Sequence, residues 1–139
     1  MKRFGVTREQ LASGAVRVAL RGELDLAHAY TLDEELRRVE QDCPSCLVID
    51  LRELSFVTAC GVSRLVAARR RARRADRRLV LVRGRAIQPL LTLTRLEQTF
   101  EVVNDVPPPL REPPPAGSVR ARRGLPQCSA KHQPEATDA

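Results

Sequence analysis

Apolar residues alternate with polar or small ones through "VRVALRG" at 16–22, the period-two signature of a half-buried strand. The period then changes. Ala29, Leu32, Leu36 and Val39 recur at helical spacing, with charged residues on the other face, and predict a helix over 27–41. The continuous apolar run "CLVIDL" at 46–51 reads as a buried central strand. A second helix is expected from Gly61 to Ala75, with Val62, Leu65 and Val66 inward, followed by a buried strand in "RLVLVRG" at 78–84. A third helix fits 87–98, where Pro89 is tolerated because the first helical turn lacks backbone acceptors. A short last strand is expected in "FEVV". Strands and helices in strict alternation imply parallel pairing through right-handed crossovers, hence a small α/β domain.

Composition sets the limits of that domain. A chain of 139 residues with 42% hydrophobic content suffices for one core. From Asp105 onward lie eight of the ten prolines and few large apolar residues, so residues 105–139 are expected to form a disordered tail and 1–104 the domain. No apolar run approaches the roughly 18 residues of a membrane span. The start, "MKRFGVTREQLASG", lacks the apolar block of a secretory signal, and a cytoplasmic location is expected.

The formal charge of +7 comes mostly from arginine, and seven arginines stand in "RRRARRADRR" at 69–78. That run reads as a solvated helix face whose stems cover the sheet edge, and as a surface able to steer an acidic partner. Aromatic residues make up 3% of the chain and none interleaves with the basic ones, so nucleic acid is not an expected partner. Cys43, Cys46, Cys60 and Cys128 are read as thiols in a reducing compartment. Cys43 and Cys46 form a C-x-x-C pair, but in a loop entering a strand rather than opening a helix, and no set of further ligands stands at zinc spacing. No metal or cofactor is expected. Glu23 and Asp25 have no nucleophile or positioned histidine beside them, so no catalytic residues are assigned and the protein is not expected to be an enzyme.

The stretch "FVTACGVS" at 56–63 has the layout of a strand end, a tight turn and a helix start, with the Cys60 thiol displayed. Together with "GELDLAHAYTLDEEL" from Gly22, "LVIDLRELSFVTACGVSRLV" from Leu47 and "LLTLTRLEQTFEVV" from Leu90, it resembles the STAS domain family, in particular the bacterial anti-sigma factor antagonists. The resemblance implies a four- or five-stranded mixed sheet with helices mainly on one face. It also implies a cytoplasmic binder that sequesters a kinase-type anti-sigma factor and so frees a sigma factor. In the family that kinase uses ATP to phosphorylate a serine at the start of the second helix, which ends the interaction.

That serine falls on Cys60 here, and the acidic residue two positions earlier falls on Thr58. A helix start suits a phosphate, yet a thiol cannot take it by the same chemistry, so no phosphoswitch is expected at position 60. Thr58 and Ser63 are the nearby alternative acceptors, and Thr58 equally suits a capping role. The resemblance implies a partner surface of Gly22, Glu23, Asp25, Thr58, Cys60, Gly61, Ser63 and Arg64, with Asp25 also suited to cap the first helix. A second copy of the chain is a further candidate partner. Two other readings remain: a STAS subunit of a larger lipid-transport or stress-signalling assembly, and a thiol-based sensor in which the helix start and Arg64 favour a Cys60 thiolate. Ala75, Asp76 and Arg95 stand where the family often has glycine, which predicts a less sharply ended second helix and an altered turn after the third.

Overall fold

The computed structural model describes residues 3–107. Val16, Val18 and Leu20 turn to one face of β2 (Val16–Leu24), where they are buried with Leu47, Ile49 and Leu51 of β3 (Cys46–Val57) and Leu79 and Leu81 of β4 (Arg78–Val82). Against that face pack Leu32, Leu36 and Val39 of α1 (Leu26–Glu40), Val62, Leu65 and Ala68 of α2 (Ala59–Arg74), and Leu91 of α3 (Gln88–Thr94). β2, β3, β4 and β5 (Glu101–Val103) run parallel, while β1 (Gly5–Gln10) pairs antiparallel with β2, in the order β1-β2-β3-β4-β5. The fold is a five-stranded mixed sheet with its helices on one face, as expected.

β1 was not predicted. "GVTREQ" has a single large apolar residue, Val6, and an edge strand with one solvated side needs no apolar alternation.

The other sheet face carries a smaller cluster of Leu11, Ala15, Cys46, Val48, Val80, Val82 and Val106. Asp50 is buried on this side and is held by Arg17 Nε at 3.0 Å, by the Arg52 backbone N–H at 3.1 Å and by Arg52 Nη2 at 2.7 Å. Of the expected tail, 105–139, Val106 is instead buried in this smaller cluster, and the part from residue 108 on lies outside the described residues.

The arginine run divides into two sets, and the expectation of a plain solvated face is corrected for one of them. Arg71 reaches α1, where Nε and Nη2 bond Glu40 at 2.6 and 2.9 Å and Nη1 meets Asp33 at 3.4 Å. Arg69 bonds the Thr99 carbonyl at 3.0 Å and lies over the Phe100 ring. Arg77 bonds the Pro44 carbonyl at 3.2 Å, and Arg78 Nε bonds Glu101 at 2.9 Å. These four tie α2 and β4 to their neighbours.

Helix ends also depart from expectation. α2 stops sharply: Asp76 adopts φ 57, the Arg77 N–H bonds the Ala72 carbonyl at 2.8 Å and the Asp76 N–H bonds Arg73 at 3.2 Å. This is a Schellman stop with aspartate in the left-handed site that glycine usually fills. The predicted third helix breaks at Arg95 (φ 61) into α3 and a 3-10 turn at Leu96–Gln98.

The reading of all four cysteines as thiols fails at Cys43, which is disulfide-bonded. Cys46 and Cys60 are free. Cys46 opens β3, and burial pushes its thiol up to about 11, so the C-x-x-C pair does not supply a thiolate there. Among the described residues no group of His, Cys, Asp and Glu is arranged to hold a metal, and no helix is long and apolar enough to cross a membrane.

Candidate functional site

β3 pairs with β4 only as far as Asp50, then runs on to Val57 beside β2 alone. The overhang lifts the start of α2 to the same edge as the end of β2. There Thr58, in extended backbone, caps α2: its hydroxyl accepts the Gly61 N–H at 3.4 Å. The same hydroxyl donates to the Leu24 carbonyl at 3.4 Å, which also accepts the Thr58 N–H at 3.0 Å. One carbonyl thus fastens the two loops together. Gly61 allows the close approach, because a Cβ at that position would lie 2.6 Å from Leu24 Cγ.

Asp25 caps α1 in the same way, accepting the His28 N–H at 3.1 Å with the oxygen that lies 2.9 Å from His28 Nδ1. Desolvation opposes ionisation, but the His28 N–H and ring outweigh it and hold the Asp25 carboxyl below its ordinary value. The His28 ring stacks on Phe4 with centroids 5.2 Å apart. Gly22 sits below, at φ +89, where a Cβ would lie 2.2 Å from the Arg3 carbonyl oxygen, and its own carbonyl accepts the Ser55 hydroxyl at 3.1 Å. Glu23 pairs in register with Phe56.

Cys60 is the second residue of α2 and is exposed. Ser63 is exposed too, but its hydroxyl donates to the Cys60 carbonyl at 2.7 Å. Arg64 is half-buried, its Nε has no hydrogen-bond partner among the described residues, and its charge helps lower the carboxyl of Asp33 on α1. The structure therefore brings Gly22, Asp25, Thr58, Cys60, Gly61 and Ser63 to one edge, while Arg64 is half-buried.

Sequence reading missed an apolar rim around this edge. Leu26, Tyr30 and Phe56 are 72, 67 and 51% exposed, although each is a large hydrophobic side chain. Leu26 and Tyr30 lie one turn apart on α1, off its buried stripe of Ala29, Leu32, Leu36 and Val39. That off-stripe placement, next to Asp25, was the signal available in the sequence.

Residues 9–107 match the model of the STAS domain. Over 90 residues the chain is 30% identical to the anti-sigma-F factor antagonist RsfB of Mycobacterium tuberculosis, covering 65% of this chain and 74% of that one. Among solved structures, an anti-sigma factor antagonist from Mycobacterium paratuberculosis superposes with a TM-score of 0.65 at 23% identity, covering 87% of this chain and 95% of its own. The anti-sigma factor antagonist SpoIIAA in its unphosphorylated form gives 0.58 at 17% identity, covering 86% and 99%. At those identities the structures speak for the fold, and the family match and the curated relative for descent. On that evidence the chain belongs to the STAS domain family.

Proposed function

We propose that this chain is a non-enzymatic anti-sigma factor antagonist that acts in the cytoplasm. It binds a kinase-type anti-sigma factor through the edge formed by Gly22–Asp25 and Thr58–Ser63 and thereby releases a sigma factor. The observation that carries the reading is the fastening of the β2 end to the α2 start through the Leu24 carbonyl, which makes two sequence-distant loops one rigid surface. The exposed rim of Leu26, Tyr30 and Phe56 supplies the apolar anchors that a protein interface concentrates near its centre. Kinship with a protein named as an anti-sigma-F factor antagonist supports the choice of partner class.

On this reading the interaction is not ended by phosphorylation at position 60, because Cys60 offers a thiol where the family presents a serine hydroxyl. Thr58 is occupied as an N-cap and Ser63 bonds its own helix, which counts against either as a displaced acceptor. The test pairs the purified full chain with each purified kinase-type anti-sigma factor of the source genome, with and without Mg-ATP. Binding to one of them that persists in ATP, without phosphate on the wild-type chain by mass spectrometry, is expected. The C60S variant is expected to gain phosphate and lose binding in ATP. Failure to bind any member of the panel refutes the reading, and phosphate on wild-type Cys60, Thr58 or Ser63 refutes its unswitched form.

A further inference from the structure

Of the arginines in the second half of α2, Arg69 and Arg71 are engaged with neighbouring elements, and those that face outward are not. Arg69 and Arg71 flank the buried side and bond Thr99, Glu40 and Asp33. Arg70, Arg73 and Arg74 are exposed, and none of their guanidinium groups makes an ion pair or hydrogen bond among the described residues. The only acidic residue from Ala59 to Arg78 is Asp76, beyond the helix end. A helix that spends arginines on its solvent side without pairing them carries a local positive field.

That field is continuous with the candidate site. Cys60, Ser63, Ala67, Arg70 and Arg74 follow one another at steps of three and four residues, so they lie along one face of α2, and Arg73, three residues beyond Arg70, borders it. At a rise of 1.5 Å per residue, Arg70 and Arg74 stand about 15 and 21 Å from Cys60 along the axis. Both distances fit within one standard protein interface, of about 800 Å² per partner. We infer that the docking footprint runs the length of this face, and that the anti-sigma partner bound at the α2 start lays an acidic strip against Arg70, Arg73 and Arg74. This rests on the reading under Proposed function and adds to it the chemistry of the partner surface and the residues that read it. The strip acts mainly on encounter: guanidinium groups in high dielectric, spaced along a solvated helix, raise the association rate more than they slow dissociation. Aromatic stacking residues are absent from the stripe, which argues against single-stranded nucleic acid as the occupant.

The test uses the full chain, the triple variant R70E/R73E/R74E, and the lysine variant R70K/R73K/R74K, against the anti-sigma factor that the wild type binds, by stopped-flow or surface plasmon resonance. Charge reversal is expected to cut the association rate by about tenfold or more in 50 mM salt, and by less than about threefold in 0.5 M salt, where screening confines fields to a few ångströms. The lysine variant keeps the wild-type rate and melt, whereas charge reversal puts two carboxylates in the last turn of α2 and lowers the melt by several degrees, so rates are compared at a temperature where circular dichroism shows all three folded. Equal rates for wild type and the charge-reversed form in low salt overturn the inference. So does a loss confined to binding of phosphatidylserine vesicles or single-stranded DNA, which would name a different occupant. Absence of wild-type binding to every anti-sigma factor overturns the antagonist reading itself, and only that outcome does so.

Discussion

Alanine at Gly22 places a methyl group where the backbone leaves no room. Gly22 adopts φ +89, a region in which an L side chain costs about 1–2 kcal/mol. The added Cβ would lie 2.2 Å from the Arg3 carbonyl oxygen and 3.0 Å from Phe4 Cα. Carbon contacts settle at about 3.5–4.0 Å, so the backbone at Arg3 and Phe4, just before β1, has to retreat by more than about 1 Å, a form of overpacking that costs about 1–3 kcal/mol. Together these give a loss of about 2–5 kcal/mol, and a melting temperature lower by about 8 °C or more in a domain of this size. The displacement also reaches the site, because Phe4 stacks on His28 and His28 bonds the Asp25 cap. The control is Gly5→Ala. Its Cβ would meet only the guanidinium of Arg21 at 2.5 Å, the far end of an exposed, flexible side chain that can swing away. Urea unfolding followed by circular dichroism measures both variants. If G22A and G5A lose stability equally, within about 0.5 kcal/mol, the close approach at Gly22 does not set its cost and the reasoning is wrong.

Other outcomes follow from the ion pairs and helix ends. Arg71→Ala takes both guanidinium bonds from Glu40 and leaves Asp33 with Arg37 alone, the two acidic side chains each being 11% exposed, and is expected to cost about 2–4 kcal/mol in urea unfolding, somewhat below the usual range for a fully buried pair. Asp50 is desolvated, but its bonds to Arg52 and Arg17 outweigh that and hold its carboxyl below the ordinary value. A depressed folded-state pKa gives stability that is present above the unfolded value, near 3.9, and lost as pH falls through the folded one. Stability curves of wild type and D50N are therefore expected to differ at pH 7 and to converge as pH drops below about 4. Arg95→Gly relieves a left-handed arginine at φ 61 and is expected to raise stability by about 0.5–1 kcal/mol, read from the urea midpoint. Thr58→Ala removes the cap of α2 and its bond to Leu24, for a loss of about 1–2 kcal/mol by the same assay.

The sequence alone determined most of the core and the order of the elements from β2 to β5. The inward stripes of β2, α1 and α2 were legible because burial on one face imposes a period of two or of 3.6, and β3 and β4 as continuous apolar runs because both their faces are covered. The candidate loops were legible as motifs, at Gly22–Asp25 and at Thr58–Arg64, of which Arg64 turns out half-buried. β1 was not, since an edge strand with a solvated side carries no obligatory pattern. Nor was the fate of the arginines. Arg70 and Arg71 are adjacent and chemically identical, yet one faces solvent and the other bonds carboxylates more than thirty residues away, and only the packing of α2 on α1 decides which. The same holds for the Leu24 carbonyl that joins the two loops, and for Leu26, Tyr30 and Phe56, whose exposure is set by what the sheet and helices leave uncovered. A side chain's period is a property of its own element, whereas its partner is a property of the element across from it, and only tertiary structure brings that element near.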